Sequence, residues 1–558
     1  MTEVPVLVVG GASVGLSMAA ELGSRGVRTI LVEQREQVNQ HPRANAVGNR
    51  TMEYFRRWGV DKKLVNKGVP ADYPADYYWV SSMHGKCLHQ LSLLSYAELE
   101  KARNSAQADP LKEMFWSPYL KTIVGQQHVE QSLKDYVLSL ESVDARFGWR
   151  LVDFEQDENG VYATIERCED GHREQLRCEY MVGCDGGQSA VRTQLDINMS
   201  GRSGIARFIS IYFRSPEFMQ CHSFGHGNIY FPLRKEYRGF LLNWDGGTHW
   251  TYHLVLPEGT DWKEVDAQEA VWRLLGKKPE VEVIDVQPWT AHALVADQYK
   301  QGRVFLAGDA AHKFTPTGGL GMNTGVGDAV ELGWRLEAVI NKWAPAEILD
   351  SYHQERHPVG VRNTVEAADN FDQLFSVMQN GEELDREDAE GQALRDRLSA
   401  SLQQQEKILA SSGVLLGYRY NDSPICVPDG SAEPADDPRR YFPTARPGHR
   451  APHIWLTPSC SILDKLGAGF TLLDFTGGAS FQHHAAWADY AASLGMPLEI
   501  VSIDHAEAKA LYEADLVLVR PDMMVAWRGE VNQAPQHILD TVTGRRMAKA
   551  QDRARSVA

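Results

Sequence analysis

Residues 302–336 read GRVFLAGDAAHKFTPTGGLGMNTGVGDAVELGWRL. Val304 to Ala307 is a short apolar run between glycines, the pattern of a buried strand. Asp309 stands at its carboxyl end, where open α/β sheets hold their ligands. A turn rich in Pro316, Gly318, Gly319 and Gly321 follows, and a helical pattern begins near Met322 and Asn323. A glycine-rich turn that feeds a helix start offers unpaired backbone N–H groups and a positive dipole end. Such a device suits a flat, electron-rich ring that must carry negative charge. Alone, the segment also fits a plain strand–loop–helix connection, so its meaning depends on partners elsewhere in the chain.

The first partner opens the chain. Val4 to Val9 is a valine-rich run of the kind buried on both faces of a parallel sheet. It stops at Gly10-Gly11-Ala12-Ser13-Val14-Gly15 and passes into a helical stretch. A second strand, Arg28 to Val32, ends at Glu33 and Gln34, with Glu33 18 positions after Gly15. This βαβ unit suits a dinucleotide fold, whose acidic residue accepts a bond from a ribose hydroxyl. Gly10 and Gly15 fill the first and third places of GxGxxG, while Ala12 takes the second and adds one methyl. The same stretch spells GxSxG around Ser13, the form of a hydrolase nucleophile elbow. Only 12 residues precede Ser13, too few for the strands and oxyanion loop that an elbow follows.

The second partner is MVGCDGGQSAVR (Met181–Arg192), where a strand ends at Cys184-Asp185-Gly186 and a helix starts near Ser189. Asp185 reads either as an Asx-turn or as part of a cofactor rim. Between these landmarks, HPRANAVGNRTMEYFRR places Arg43 and Arg50 in a loop leading to a helix. Residues 70–119 read as an irregular, aromatic-rich excursion, and a helix starts at Gln126 with Glu130 four residues on. Residues 150–165 alternate around an Asp157–Gly160 turn as a hairpin. From about 201 to 288, short alternating strands predict an antiparallel sheet with one open face, a wall for an organic substrate. Its polar and aromatic residues include Tyr212, Arg214, His222, His226, Tyr230 and His253.

Two metal-like patterns carry little. Cys221, His222 and His226 would scatter over both faces of a strand, so no metal is expected there. His353-Gln354-Glu355-Arg356-His357 has its glutamate in the wrong place for a zinc protease, and Pro358 predicts an immediate helix end. Helices extend to about Ser411, a proline-dense linker spans 424–452, and an α/β order with FTLLDF, LEIVSI and DLVLVRP closes the chain. That order suits a small thioredoxin-like domain without a CxxC, for which a structural or dimer-forming role is expected.

Composition sets limits. The 558 residues carry a net charge of −17, which opposes a nucleic-acid partner. Seven cysteines without CxxC spacing fit free thiols in a reducing compartment. The start MTEVPVLVVGG has no basic n-region and no apolar span reaches membrane length, so a cytoplasmic protein without membrane contact is expected.

In this order, GGASVG with Glu33, CDGGQSAVR and GRVFLAGDAAHKFTPTGGLGMN resemble the single-component, group A FAD-dependent aromatic hydroxylases, with the para-hydroxybenzoate hydroxylase fold. RPGHRAPHIWL and LVLVRPDMMVAWRG are similar to the phenol hydroxylase and polyketide hydroxylase branch, with its C-terminal thioredoxin-like domain. The resemblance implies an α/β and α+β multidomain fold. A Rossmann-like FAD-binding domain of glutathione-reductase type would occupy residues 1–198, with the excursion at about 70–120, and 296–410 together with helices. A substrate-binding sheet domain would occupy 199–295, a linker 411–447, and the thioredoxin-like domain 448–558.

It further implies that Gly10, Ala12, Ser13, Val14, Gly15, Glu33 and Gln34 form the ADP-binding set, and that Arg43 and Gln126 contact the FAD phosphate and ribityl region. Asp185 would serve FAD and pyridine nucleotide, and Asp309 would hold the ribityl chain. Pro316, Gly319, Leu320, Gly321, Met322 and Asn323 would run along the isoalloxazine ring. NADPH or NADH and dioxygen are the implied co-substrates, and a small phenolic or polycyclic aromatic is the implied substrate. It would be hydroxylated through a C4a-hydroperoxyflavin. Baeyer–Villiger-type insertion, decarboxylation and a non-enzymatic flavin scaffold are the alternatives, and a homodimer is possible. Relatives acting on simple phenols place a histidine or aspartate where Asn45 and Ile123 stand here, so the phenol base is sought among Asn45, Tyr119, His226 and Tyr230.

Overall fold

The computed structural model describes residues 1–65, 67–103, 114–405, 411–478 and 481–550. Its first sheet is built on the opening strand Thr2–Val9, in which Val6, Leu7 and Val8 are fully buried. Each such side chain contributes about 1.5–3 kcal/mol by leaving water. The strand pairs in parallel with Thr29–Glu33 on one side and Arg173–Gly183 on the other, and the latter pairs with Val304–Leu306. The register sets Val9 beside Val32 and Gly183, and Gly183 beside Leu306. Four strands therefore end together, and the loops that follow them emerge at one edge. Val143–Phe147 extends the sheet beyond Thr29–Glu33. The expected hairpin is present as Trp149–Gln156 and Val161–Arg167, joined to Arg173–Gly183.

The second sheet carries the strand order Met199–Arg214, His249–Val255, Gly239–Asn243 and Ile229–Pro232, with the long Glu282–Ala296 on its other flank. Part of the excursion belongs to it. Tyr77–Val80 pairs in parallel with Ile229–Pro232, and Cys87–Leu91 pairs with Tyr77–Val80. The segment read as irregular thus supplies two strands to the neighbouring sheet, and its residues 104–113 lie outside the described residues.

One face of this sheet buries Ile209, Ile211, Tyr230, Trp250 and Tyr252 against the helix Ala267–Leu275. The other, inner face carries Phe208, Phe231, Phe240, Trp244 and Trp289, packed in part on Phe371 and Phe375 of the helix Asp350–Ser376. That helix runs through Pro358, where a stop was expected. The cost of the missing N–H is offset by burial of Val359, Gly360, Asn363 and Thr364 in the turns beyond it.

The C-terminal sheet has the order Leu498–Ser502, Phe470–Asp474, Leu516–Val519, Val525–Gly529, with one parallel and two antiparallel pairings. It is tied to the first domain through a buried ionic cluster. Arg520 reaches Glu331 (3.1 Å), Glu355 (2.7 Å) and Asp522, while Arg335 reaches Glu331 (3.1 Å) and Glu355. Trp334 Nε1 donates to Asp522 at 2.9 Å. Among the described residues, no helix is long and apolar enough to cross a membrane.

Candidate active site

The common edge of the first sheet is where the three glycine-bearing loops meet, and the glycines are required there by contact. A Cβ on Gly10, whose φ is +103°, would fall 2.4 Å from the carbonyl oxygen of Cys184 and 2.9 Å from Cα of Asp185. A Cβ on Gly15 would lie 1.8 Å from the carbonyl oxygen of Gly10. Val14 occupies the space that a Cβ on Gly308 (2.8 Å) or Gly325 (2.5 Å) would need. Three segments separated by more than a hundred residues thus pack together, with Cys184 N–H bonded to Val9 and Ala307 N–H to Gly183, and the loops carrying Glu33, Asp185 and Asp309 leave the same sheet edge.

Each side chain has a definite anchor. Glu33 accepts the backbone N–H of Gly11 at 2.6 Å and that of Arg35 at 2.9 Å, which holds the glycine turn; Gln34 beside it is exposed. Ser13 donates its hydroxyl to Glu130 at 2.9 Å, and Gln126 donates to the same oxygen at 2.7 Å. With its hydroxyl committed to a carboxylate rather than an imidazole, Ser13 is no nucleophile elbow. Ala12 is the residue preceding the helix Ser13–Ser24 and adopts an extended backbone that tolerates its methyl. Gln126 also donates its backbone N–H to Ala44, which brings the Arg43 loop to the start of the helix Gln126–Leu138. Arg43 is exposed and close enough to Glu130 and Asp309 to feel both charges.

Asp185 accepts from the N–H of Val191 at 3.1 Å through one oxygen, while the other, Oδ1, is buried without a partner. Arg192 joins this loop to the next by donating to the carbonyls of Ala310 (3.0 Å) and Gly187 (3.2 Å). Asp309 is crowded by protein atoms, which raises its carboxyl pKa against the opposing pull of His312, Arg43 and Lys313. Its side chain nevertheless stays open to solvent in the groove, and this accessibility is what a ligand would meet. Asn323 fastens the ring-side loop: its Oδ1 accepts from Gly48 N–H (2.8 Å) and Thr51 (2.7 Å), and its Nδ2 donates to Gly319 (2.6 Å) and Ala46 (3.2 Å). Gly318 and Gly319 have φ of +85° and +66° before the helix Leu320–Ile340, whose start carries no side-chain cap. Pro316, Leu320, Gly321 and Met322 complete this turn, with Leu320 buried and Pro316 exposed.

These observations fit FAD. An orphaned acceptor (Asp185 Oδ1), an open carboxylate (Asp309), a guanidinium (Arg43) and uncapped helix amides surround a cradle that side chains beyond glycine would fill. Glycine turns leading into helix N-termini suit a pyrophosphate.

The four residues proposed for the phenol base are not brought together. Asn45 sits beside the groove, next to the short pairing of Ala46–Val47 with Thr122–Ile123; its carbonyl accepts from Val124 and its Nδ2 is buried without a partner. Tyr119 is turned into the interior, its hydroxyl bound to Asp61 and to Arg56 (3.2 Å). Tyr230 lies on the sheet face that packs on Ala267–Leu275, donates to the Gly225 carbonyl at 2.6 Å, and stacks on Tyr78. Burial pushes its phenol pKa well up, which keeps the hydroxyl protonated. His226 is exposed, edge-on to Tyr73. Side-chain alternation, which no single residue reveals, places Tyr230 away from the groove.

The inner face instead presents Ser210, Tyr212, Trp244 and His253. Trp289 stacks on Phe208 at 4.1 Å between centroids. A cavity of about 550 Å³ opens between this face (Tyr212, Trp244), the loop 67–71 and Gln127–His128, immediately after Gln126. His41, two residues before Arg43, bonds to Ser210 and Asp285. Nothing in the local sequence marks it, because its partners lie 169 and 244 residues away. Behind Asp309 stands the buried set Asp328, His312 and Arg356, whose members come from the helix Leu320–Ile340, the short strand His312–Lys313 and the helix Asp350–Ser376, so no local pattern marks it.

Residues 3–367 match the FAD binding domain family, and residues 444–550 match the aromatic-ring hydroxylase C-terminal family. The chain is 32% identical over 583 residues to a tetracenomycin B2 monooxygenase-dioxygenase of Streptomyces olivaceus, covering 98% of this chain and 99% of that one. Among solved structures, RebC with bound 7-carboxy-K252c superposes with a TM-score of 0.86 at 32% identity, over 97% of this chain and 99% of that one. The flavin-dependent monooxygenase PieE, in complex with FAD and substrate, gives a TM-score of 0.86 at 29% identity over 97% and 98%. With the groove, the inner sheet face and the C-terminal domain all accounted for, the chain belongs to the FAD-dependent aromatic-ring hydroxylases.

Proposed function

We propose that this protein hydroxylates a phenolic, polycyclic aromatic substrate with NADPH or NADH as electron donor. The observation that carries this reading is a cavity of about 550 Å³ walled by Tyr212 and Trp244 of the second sheet and by Gln127 and His128, next to Gln126. That volume lies within the ordinary range for small-molecule sites. Flat apolar rings stack on faces such as those of Tyr212 and Trp244, gaining area burial and ring–ring attraction. The names of the relatives, which include a tetracenomycin B2 monooxygenase-dioxygenase and an aklavinone 12-hydroxylase, support a multi-ring substrate.

When bound, FAD supplies the redox chemistry, accepting hydride from NAD(P)H and activating dioxygen for transfer of one oxygen atom. The chain's part is to hold and to exclude. Arg43, Asp185 and Asp309 would hold the cofactor, and the uncapped start of Leu320–Ile340 would offer its N–H groups to the cofactor's negative charge. The walls around Tyr212 and Trp244 keep water from the reacting atoms.

The test is NAD(P)H oxidation by the FAD-loaded protein across a panel of phenols and hydroxylated polycyclic aromatics, with labelled dioxygen. Substrate-stimulated oxidation with one labelled oxygen in an aromatic product is expected. Oxygen inserted into a carbon skeleton, or release of carbon dioxide, would move the reaction to another class, and no stimulation by any ring would contradict the proposal.

A further inference from the structure

The loop that carries Arg43 also carries a hydrogen-bonded series aimed from the inner sheet face toward solvent. His41 Nε2 lies 2.7 Å from Ser210 Oγ, and His41 Nδ1 lies 2.8 Å from Asp285 Oδ2. Ser210 and His41 are buried, whereas the Asp285 side chain is 43% exposed. A carboxylate only accepts, so the Asp285 contact places hydrogen on Nδ1. Nε2 then carries a lone pair, and Ser210 must donate to it. The Ser210 oxygen is left able to accept a further hydrogen bond from the inner face.

A second observation marks the same spot as a ligand contact. His253 is the cross-strand partner of Ser210, so the two side chains stand together on the inner face. Its Nδ1 accepts from Trp289 Nε1 at 3.2 Å, which leaves the hydrogen on Nε2, and that donor is buried with no partner. Burial pushes His253 down to about 3, so the ring is neutral. An acceptor at Ser210 beside an unsatisfied N–H at His253 matches an oxygen that first donates and, once ionised, accepts.

We infer that Ser210, His41 and Asp285 form a proton relay that ionises a ring hydroxyl of the substrate. This rests on the hydroxylase reading above and names the feature its substrate must carry. The substrate O–H bond breaks and its proton passes to Ser210 Oγ. The Ser210 proton passes to His41 Nε2, leaving an aryl oxide and an imidazolium held by the Asp285 carboxylate. No electrons are exchanged, and the ring becomes richer for attack on an electrophilic oxygen. Ser210 is the group in contact with substrate; His41 and Asp285 act through it. The groups that face His41 are Ser210 and Tyr212 from Met199–Arg214, His253 from His249–Val255, Asp285 from Glu282–Ala296, and Arg43 from its own loop. Gln287 donates to the same Asp285 oxygen at 2.8 Å. Burial lowers the His41 pKa more than Asp285 raises it, which keeps the imidazole neutral and able to receive the proton.

The probe is alizarin, a polycyclic phenol whose colour reports ionisation, titrated with pH on the FAD-loaded enzyme while quenching of flavin fluorescence reports binding. In the wild type, the bound dye is expected to ionise about one pH unit or more below the free dye, a tenfold change in its acid constant. Ser210→Ala and His41→Gln are expected to abolish that shift while flavin absorbance and dye-induced quenching persist, and Asp285→Asn to shrink it. An unshifted or unbound dye in the wild type, or a shift that survives both Ser210→Ala and His41→Gln, would overturn the relay. An enzyme that hydroxylates rings without shifting the dye keeps its function and loses the relay; an enzyme whose NAD(P)H oxidation no ring stimulates loses the function whatever the dye does.

Discussion

Asp328 Oδ2 lies 2.6 Å from His312 Nε2, with neither side chain exposed, directly behind the turn that presents Asp309. The same oxygen accepts the Gly308 N–H at 3.1 Å, and Oδ1 accepts from Arg356 at 2.8 Å. Burial opposes ionisation of Asp328, but His312 and Arg356 together outweigh it and hold its pKa below the usual carboxylate range. Asp309 is therefore positioned by a buried ionic set rather than by packing alone.

Asp328→Asn leaves Arg356 without its buried counter-charge, a loss of about 3–5 kcal/mol for a pair of this kind. Urea unfolding monitored by tryptophan fluorescence is expected to show that loss, with reduced flavin retention in the fraction that folds. Unchanged stability would mean that the set is not holding the turn.

The cluster that ties the C-terminal domain to Leu320–Ile340 has three carboxylates, Glu331, Glu355 and Asp522, around two guanidiniums, Arg335 and Arg520. One negative charge too many in a buried site favours retention of one proton. Burial and the Asp522 charge push Glu331 up to about 8, while Arg520 holds Asp522 low despite its burial. A folded pKa above the unfolded one contributes stability that is complete below about pH 4.5 and is lost as pH rises toward 8. Glu331→Gln keeps a neutral side chain at every pH. Its stability relative to the wild type is expected to improve steadily between pH 5 and 8, measured by thermal unfolding in matched buffers, and a parallel pH profile would contradict this protonation scheme.

Tyr230→Phe removes a hydroxyl that is bonded to Gly225 on the sheet face remote from the groove. Turnover is expected to stay within about twofold, with about 1 kcal/mol lost in stability. A large fall in kcat at constant flavin content would return Tyr230 to the chemistry.

The loops at the edge of the first sheet are legible because buried parallel strands write themselves as unbroken apolar runs, and because Gly10 and Gly15 occupy places where a side chain would strike neighbouring backbone. Much else depended on long-range partners. Tyr77–Val80 is only four residues long, and its partner Ile229–Pro232 lies far along the chain. Pro358 carries a strong local stop signal that burial of the following turns overrides. Parity sets Tyr230 on the far face, since in an alternating strand Tyr230 and Phe231 point opposite ways and only register decides which is inward, whereas Tyr119 is drawn into the interior by Asp61 and Arg56. His41 lies in the same stretch as Arg43, yet its meaning rests on Ser210 and Asp285, which only the folded sheet brings to it.

The convergence of Glu33, Asp185 and Asp309 on one FAD groove is tested most directly by equilibrium binding of FAD to the apoprotein, read from flavin fluorescence, for the wild type and Asp309→Ala. The wild type is expected to bind FAD and turn yellow, and Asp309→Ala to bind about a hundredfold more weakly, a loss of about 2.7 kcal/mol at an otherwise intact site. Equal affinity in the two proteins, or a wild type that takes up no FAD at all, would contradict the placement of these three carboxylates around a single cofactor.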